Sequence, residues 1–373
     1  MAENQFKVCV YAICKNEAQF VQRWLASMSE ADAIYVLDTG SSDDTVRLLQ
    51  EGGAQVTVSQ IKPWRFDVAR NQSLDLVPQD ADICVCTDLD EVLQPGWRPK
   101  LETVWAQGAG RAKYRYTWSF NDDGSEGSVF WVDKVHCRRG YRWVNPVHEV
   151  LAWEGEGDEP LALFAEGVQL NHYPDRSKSR GQYLPLLELA VQENPQNDRN
   201  MHYLGREYMY YGRWQDCIDT LKRHLQLPSA LWRDERAASM RFIARSYQAL
   251  GQDDEAESWY LRAVAEAPHL REPWLEYARL AYQKADWNAV IWLAERALKI
   301  TERPRTYITE ADSWSFMPYD LAALGYYNTG QYLPALQNAD IAAAMCPEDE
   351  RLQRNRQVIW EKLAEKGNAA VIK

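Results

Sequence analysis

The first 175 residues switch repeatedly between two hydrophobic periods. Residues 6–13 form an apolar run of strand length. Residues 18–28 then set Phe20, Val21, Trp24, Leu25 and Met28 on one face at helical spacing. A second strand is predicted over 33–37. It stops at Asp38-Thr39-Gly40-Ser41-Ser42-Asp43-Asp44, a turn cluster that also suits the start of a helix over 45–50. Strands over 56–58 and 83–87 flank a helix over 66–76. Strand–helix–strand order at this length predicts a mainly parallel sheet covered on both faces. Such sheets bind ligands beyond the carboxyl ends of their strands, where the strand order reverses. The polar residues directly after each strand are therefore the ones to weigh.

Strand signals end near Asn171, and a repeat takes over. Gly205 and Tyr208 precede Gly212 at the offsets by which Ala244 and Tyr247 precede Gly251, and Ala323 and Tyr326 precede Gly330. Downstream, Ala256, Tyr260, Ala263 and Pro268 follow Gly251, and Ala335, Ala342 and Pro347 follow Gly330. A degenerate unit centres on Ala285, with Ala278 and Ala297 in register. Small residues here let two antiparallel helices approach closely, aromatics fill the gaps, and proline ends the second helix. The pattern resembles the tetratricopeptide repeat, in about four copies over 200–347, with a final helix over 350–366 as a cap.

Charge and composition narrow the function. The net charge is −12, and the acidic excess lies in the first half of the chain. That argues against generic charge-driven nucleic-acid binding but leaves room for a local basic groove. No apolar stretch approaches the ~18–20 residues that span a bilayer, so no membrane insertion is expected. Residues 8–14 read as a buried first strand rather than a signal peptide. Seven cysteines without metal-ligand spacing suggest reduced thiols and a cytoplasmic chain.

The candidate chemistry sits at the predicted strand ends. Asp88-Leu89-Asp90-Glu91 ends the fourth strand, and two carboxylates so spaced suit Mn²⁺ or Mg²⁺ held together with a substrate's phosphates. Asp38 follows the second strand, and Arg70-Asn71 lies in the helix before the fourth. Taken alone, Asp38 reads as a helix N-cap and Arg70 as half of a surface ion pair. Trp118, Trp131 and Trp143 offer aromatic platforms, and Lys134, Arg138, Arg139 and Arg142 read as a solvated strand face.

Taken in order, Ala12-Ile13-Cys14-Lys15-Asn16-Glu17, Asp38-Thr39-Gly40-Ser41-Ser42-Asp43-Asp44-Thr45, Phe66-Asp67-Val68-Ala69-Arg70-Asn71 and Asp88-Leu89-Asp90-Glu91 resemble a family-2 glycosyltransferase of the GT-A fold. The layout, with repeats following, is similar to peptide S-glycosyltransferases. The resemblance implies an α/β GT-A catalytic domain over 1–175 with a Rossmann-like, mostly parallel sheet. A connecting helix or linker over 176–199 and an all-α repeat solenoid over 200–373 follow. It further implies that Ile13 to Glu17 line the nucleobase and ribose pocket, and that Asp38 accepts from the uracil imide. Arg70 approaches base and phosphates, Asp88 faces ribose or metal, and Asp90 binds the metal. Glu149 falls where this fold keeps its acceptor base, with Asp133 in reserve. His172 completes the metal site, with His148 as its rival.

The function expected is metal-dependent, inverting transfer from a UDP-sugar to a peptide or protein gathered by the repeats. A hydroxylated base in DNA or a glycan is the alternative acceptor. An inactive scaffold and a glycosidase with paired carboxylates are the alternative classes, and a homodimer through the repeats is a further use of that region.

Overall fold

The computed structural model describes residues 6–121, 124–175 and 181–371. Residues 176–180, at the start of the expected linker, lie outside them. The chain divides into two compact units: Met1–Glu193 with Arg305–Tyr307, and Asn194–Pro304 with Ile308–Lys373.

The first unit opens with the alternation the hydrophobic pattern predicts: β1 (Val8–Cys14), α1 (Ala18–Ser27), β2 (Ala33–Asp38), α2 (Thr45–Glu51), β3 (Gln55–Val58), α3 (Phe66–Asp75) and β4 (Ile83–Cys86). It continues with β5 (Glu91–Leu93), α4 (Trp97–Trp105), β6 (Ala109–Thr117), β7 (Val129–His136), β8 (Tyr141–Val144), β9 (Val150–Trp153), β10 (Leu161–His172) and α5 (Tyr183–Glu193). The main sheet runs β3-β2-β1-β4-β7-β6-β10-β5, and β8 pairs with β9 in a small second sheet. The strands β3, β2, β1 and β4 are mutually parallel. The chain winds outward from β1 through β2 to β3, then returns to β4 on the other side of β1. The order therefore reverses at β1 and β4, and their carboxyl ends form the crevice such sheets use for ligands.

β1 is buried throughout because both its faces are covered. Val8, Val10 and Ala12 join one core with Val21 and Trp24 of α1. Cys9 and Tyr11 join the opposite core, with Cys84, Cys86 and Trp143. Cys84 and Cys86 thus serve as small core residues, and none of the seven cysteines is in a disulfide. Trp143 is no aromatic platform. Its indole is buried and its Nε1 donates to the Tyr11 hydroxyl at 2.7 Å.

That hydroxyl lies 2.7 Å from His136 Nε2, and His136 Nδ1 lies 2.8 Å from the Cys137 carbonyl. A carbonyl only accepts, so Nδ1 carries the proton, Nε2 accepts from Tyr11, and the imidazole is neutral. Burial pushes the His136 pKa down to about 3.

Strands after β4 are not continuously apolar, because charged side chains alternate with the apolar ones or interrupt them. Arg111, Lys113 and Arg115 alternate with apolar residues in β6, and Lys134 interrupts β7.

The second unit stacks antiparallel helix pairs: α6 (Asp198–Tyr210) with α7 (Trp214–His224), α8 (Arg233–Ala249) with α9 (Asp253–Glu266), α10 (Arg271–Gln283) with α11 (Trp287–Leu298), and α12 (Met317–Asn328) with α13 (Tyr332–Met345), followed by α14 (Glu350–Val371). The repeat positions do what the sequence suggested. At Gly205 a Cβ would lie 2.3 Å from the Leu221 side chain, so only glycine lets α6 close on α7. Gly212, Gly251 and Gly330 make the turn within each pair, at φ +70°, +71° and +73°. In the degenerate repeat Ala285 takes that place at φ 55°. Within this unit His202 and His224 each present Nδ1 to Ser239 Oγ, at 2.7 and 3.0 Å, and burial holds the His202 pKa down at about 3.

Replacing Ala285 with glycine should stabilise the second unit by about 1 kcal/mol, since an L-residue in the left-handed region costs that order. Chemical unfolding of wild type and variant measures it. His136 and His202 are neutral when folded and take a proton on unfolding below the ordinary histidine pKa of 6.5. Stability should therefore fall as the pH drops from about 6.5 to 5, by up to about 1.4 kcal/mol per pH unit for each imidazole. A flat profile in that window would contradict two buried neutral histidines.

Candidate active site

The loops after β1 and β2 are tied together. Cys14 pairs with Asp38 in the β1–β2 register. Thr39 N and Oγ1 both donate to the Cys14 carbonyl, at 2.9 Å each. Ser42 N donates to Asn16 Oδ1 at 2.7 Å, and Asn16 N to Ser41 Oγ at 2.8 Å. Glu17 immediately precedes α1, and its N–H donates to Thr45 Oγ1 at 2.8 Å.

Asp38 is fully buried and turned into its own loop. Its Oδ1 accepts from Gly40 N and Ser41 N, each at 2.9 Å, and its Oδ2 takes the Ser41 hydroxyl. It does not cap α2, which begins after Asp44 without a side-chain cap; Asp43 Oδ1 accepts from Thr45 N at 3.0 Å. Ile13 packs with Leu37, Ile61 and Ala69.

Beyond β4 lies a chain of alternating charges. Arg70, on α3, is 3% exposed, so the surface ion pair expected for it alone is wrong. Its Nη2 lies 2.7 Å from Asp88 Oδ1 and its Nε 2.8 Å from Glu149 Oε1. Lys134 Nζ reaches Asp88 Oδ2 at 3.4 Å and Glu91 Oε1 at 2.9 Å. Glu91 is buried; its Oε1 also accepts from Tyr116 Oη at 2.8 Å and its Oε2 from Asp88 N at 2.8 Å. Burial alone would raise the Asp88 carboxyl, but Arg70 and Lys134 outweigh it and hold Asp88 well below the usual carboxylate range.

Asn71, beside Arg70, clasps β8: its Nδ2 donates to the Trp143 carbonyl and its Oδ1 accepts from Trp143 N, at 2.8 and 2.9 Å. Phe66 N donates to the Pro146 carbonyl at 3.0 Å. The helix bearing Arg70 therefore also fixes the segment bearing Glu149.

His172 ends β10, which pairs with β5 and so sits next to the Asp-x-Asp turn, with His172 opposite Glu91. Its Nε2 lies 3.3 Å from Asp90 Oδ2 and its Nδ1 3.0 Å from the Trp118 carbonyl. The Trp118 ring stacks on the imidazole at 4.4 Å between centroids. Burial would lower the His172 pKa, but the hydrogen bond and charge of Asp90 and the Trp118 carbonyl raise it on balance. His148 instead faces the Tyr183 ring, at 5.7 Å between centroids. Asp133 points away from Lys134, its β7 neighbour, and pairs with Arg111 at 3.0 Å.

The donor chemistry fits a divalent ion. With Nδ1–H held by the Trp118 carbonyl, loss of the Nε2 proton would leave a lone pair directed at the Asp90 side, the outer-shell arrangement of metal-ligating histidines. One imidazole and one carboxylate are a partial set, and the described residues hold no cluster of three such ligands. Phosphate oxygens and water would supply the remaining positions.

Residues 9–142 match the family model described as glycosyl transferase family 2. The first unit carries a family 2 glycosyltransferase domain. Among curated relatives, the chain is similar to an uncharacterized glycosyltransferase of Rickettsia bellii (strain RML369-C), 31% identical over 101 residues, or 27% of this chain and 33% of that protein. It is similar to one of Rickettsia felis at 31% over 101 residues, covering 27% of this chain and 34% of that protein. The chain thus spans about a third of the length of these relatives. Among solved structures it is similar to a thermophilic TPR protein of Thermus thermophilus, with 18% identity, a TM-score of 0.35, and coverage of 48% of this chain and 91% of that one. The MamA protein gives 15%, 0.36, 46% and 87%.

Sequence reasoning missed Lys134, Glu91 and Tyr116 as parts of the glycosyltransferase domain's charge chain. Lys134 and Arg138 do not share the solvated face expected for them with Arg139 and Arg142: Lys134 reaches Asp88, and Arg138 is buried with Nε donating to the Val77 carbonyl at 2.8 Å. The signal available was a lysine amid the apolar residues of a strand and a third acid directly after Asp-x-Asp. Replacing Lys134 with methionine should destabilise the domain by on the order of 3 kcal/mol, because buried Glu91 loses its counter-charge. Adding Glu91→Gln should recover part of the loss. Urea unfolding of the single and double variants tests the coupling.

Proposed function

We propose that the glycosyltransferase domain moves a sugar from a UDP-sugar to a polypeptide acceptor, with inversion at the anomeric carbon. The observation that carries this reading is the meeting of His172 Nε2 and Asp90 Oδ2, 3.3 Å apart, beside the Asp88–Arg70–Glu149 chain at the carboxyl end of β4. Asp90 and His172 would hold Mn²⁺ or Mg²⁺. Such an ion neutralises charge on a departing diphosphate.

The remaining roles fall to this chain's own groups. Ile13, Glu17 and Asp38 shape the nucleoside end of the crevice, with Asp38 holding its loop. Arg70 anchors Asp88 at the ribose side and orients Glu149. One oxygen of Glu149 is pinned by Arg70; the other takes no hydrogen bond from the described residues and suits proton removal. The acceptor's hydroxyl or thiol attacks the anomeric carbon opposite the diphosphate, the bond from carbon to diphosphate oxygen breaks, and the acceptor's proton passes to Glu149. Helix-pair repeats suit extended chains, which favours a polypeptide acceptor. No helix among the described residues is long and apolar enough to cross a membrane. The unpaired thiols favour a reducing, cytoplasmic setting.

Asp90→Asn and His172→Ala should each abolish the Mn²⁺-dependent rise in melting temperature on adding UDP. Glu149→Gln should keep that rise and lose transfer by about 10²–10⁴-fold. Transfer by Asp90→Asn at the wild-type rate, or transfer in excess chelator, would rule out the metal. Normal turnover by Glu149→Gln would place the base elsewhere.

A further inference from the structure

The connection between α11 and α12 is unlike the short turns within the helix pairs. It runs over residues 299–316 and contains one short 3₁₀ turn, Ala311–Trp314. Its part from Ile308 onward binds the first helices of two repeats, α8 and α10, which lie side by side.

The contacts centre on Arg241 and Arg245 of α8. Arg241 is 1% exposed. Both arginines pair with Glu276 of α10, Arg245 through Nε at 2.8 Å and Nη2 at 2.7 Å. Glu310 of the connection completes the cluster. Arg241 Nη1 reaches its Oε1 at 3.1 Å, and Arg245 Nη2 its Oε2 at 2.6 Å. The Glu310 backbone N–H donates to Glu272 Oε1 at 3.1 Å, and Trp314 Nε1 donates to the same oxygen at 3.2 Å. Asp312 pairs with Arg279 at 2.8 Å. Burial would raise the Glu310 carboxyl, but the two arginines bring it down to about 2.

The two acids differ in how they are held. The Glu276 side chain is 5% exposed and belongs to a helix, whereas that of Glu310 is 35% exposed and belongs to an irregular segment. Without Glu310, Arg241 Nη1 and Arg245 Nη2 would each lose a carboxylate oxygen and keep only Glu276 as a directly paired acid. Buried charge-assisted donors left without an acceptor are costly, so the helices present a preformed receptor for one further carboxylate.

The receptor also discriminates. Glu272 accepts the backbone N–H of the residue whose side chain enters the arginine pair. A glutamate within a polypeptide offers both groups. A nucleic-acid phosphate offers no such N–H and would meet the carboxylates of Glu272 and Glu276.

We infer that Arg241, Arg245 and Glu272 form a docking site for an acidic polypeptide segment, and that Glu310 fills it in cis as a tethered competitor. An incoming glutamate displaces Glu310, whose strap then lifts from α8 and α10. This inference does not rest on the transfer chemistry, and its test reads binding alone.

Fluorescein-labelled octaglutamate is titrated into the full chain at low salt and followed by anisotropy, with octalysine and octathymidylate as comparisons. A tethered competitor acts at millimolar effective concentration, so Glu310→Gln should tighten octaglutamate binding by about tenfold or more. Arg245→Gln added to Glu310→Gln should abolish the gain, with folding of each variant checked by its thermal transition. Hydrogen exchange supplies a measurement that needs no variant. Saturating octaglutamate should speed exchange at the Glu310 amide of the wild-type chain. Unchanged affinity in Glu310→Gln, a gain that survives Arg245→Gln, or unchanged exchange at Glu310 would overturn the inference. Equal tightening for octathymidylate would overturn the assignment to a polypeptide.

Discussion

A guanidinium removed from water cannot shed its charge, so it must be surrounded by acceptors. In the first unit that constraint falls on Arg70. It is almost fully buried beneath the mouth of the sheet, and its partners come from two distant segments: Asp88 after β4, and Glu149 between β8 and β9. Neither segment makes a long ladder with the other. Arg70 fixes their separation, with Asn71 holding β8 by its backbone and Lys134 securing Asp88 from the far side. Three acids within four residues, Asp88, Asp90 and Glu91, would repel one another at a strand end. Two cations from separate elements make the cluster tenable.

This explains what the sequence could reveal. The parallel half of the sheet was legible because β1 and β4, buried on both faces, are continuously apolar, and the helices between the strands keep one apolar face. The repeats were legible for the same kind of reason: a close approach at Gly205 and a left-handed turn at Gly212 each demand a particular residue at a fixed offset. Asp90 and His172 were reached from the family resemblance, and the structure brings them together across the β5–β10 pairing. Locally, Lys134 shows only as a lysine amid the apolar residues of a strand. Its partners depend on an antiparallel crossing between β4 and β7 that has no periodic signature. Trp143 looked like a sugar platform for want of the knowledge that Tyr11, 132 residues away, needs its indole N–H.

Asp38 shows how a motif residue can be structural in part. Two backbone N–H groups and a serine hydroxyl converge on its carboxylate, so the polar turn after β2 keeps its shape through one buried anion. A helix cap would have used one oxygen; here both are engaged. The second unit solves a comparable problem with a larger charge cluster, in which one anion is contributed by an irregular segment rather than a helix. Order in that segment is thereby linked to the state of two arginines.

The β4–β7 crossing carries a further consequence. Side chains on a strand alternate between faces, and the register pairs Cys84 with His136 and Val85 with Val135. A slip of one residue would turn Lys134 away from Asp88 and bring Asp133 round in its place. Four acids would then face one another at the strand end with Arg70 as their only cation. The same slip would take the His136 imidazole away from the Tyr11 hydroxyl. Charge at the crevice mouth and hydrogen bonding in the core thus reject the same error. The domain reads its own strand alignment twice, by two independent chemistries, so a misregistered sheet is penalised before any substrate arrives.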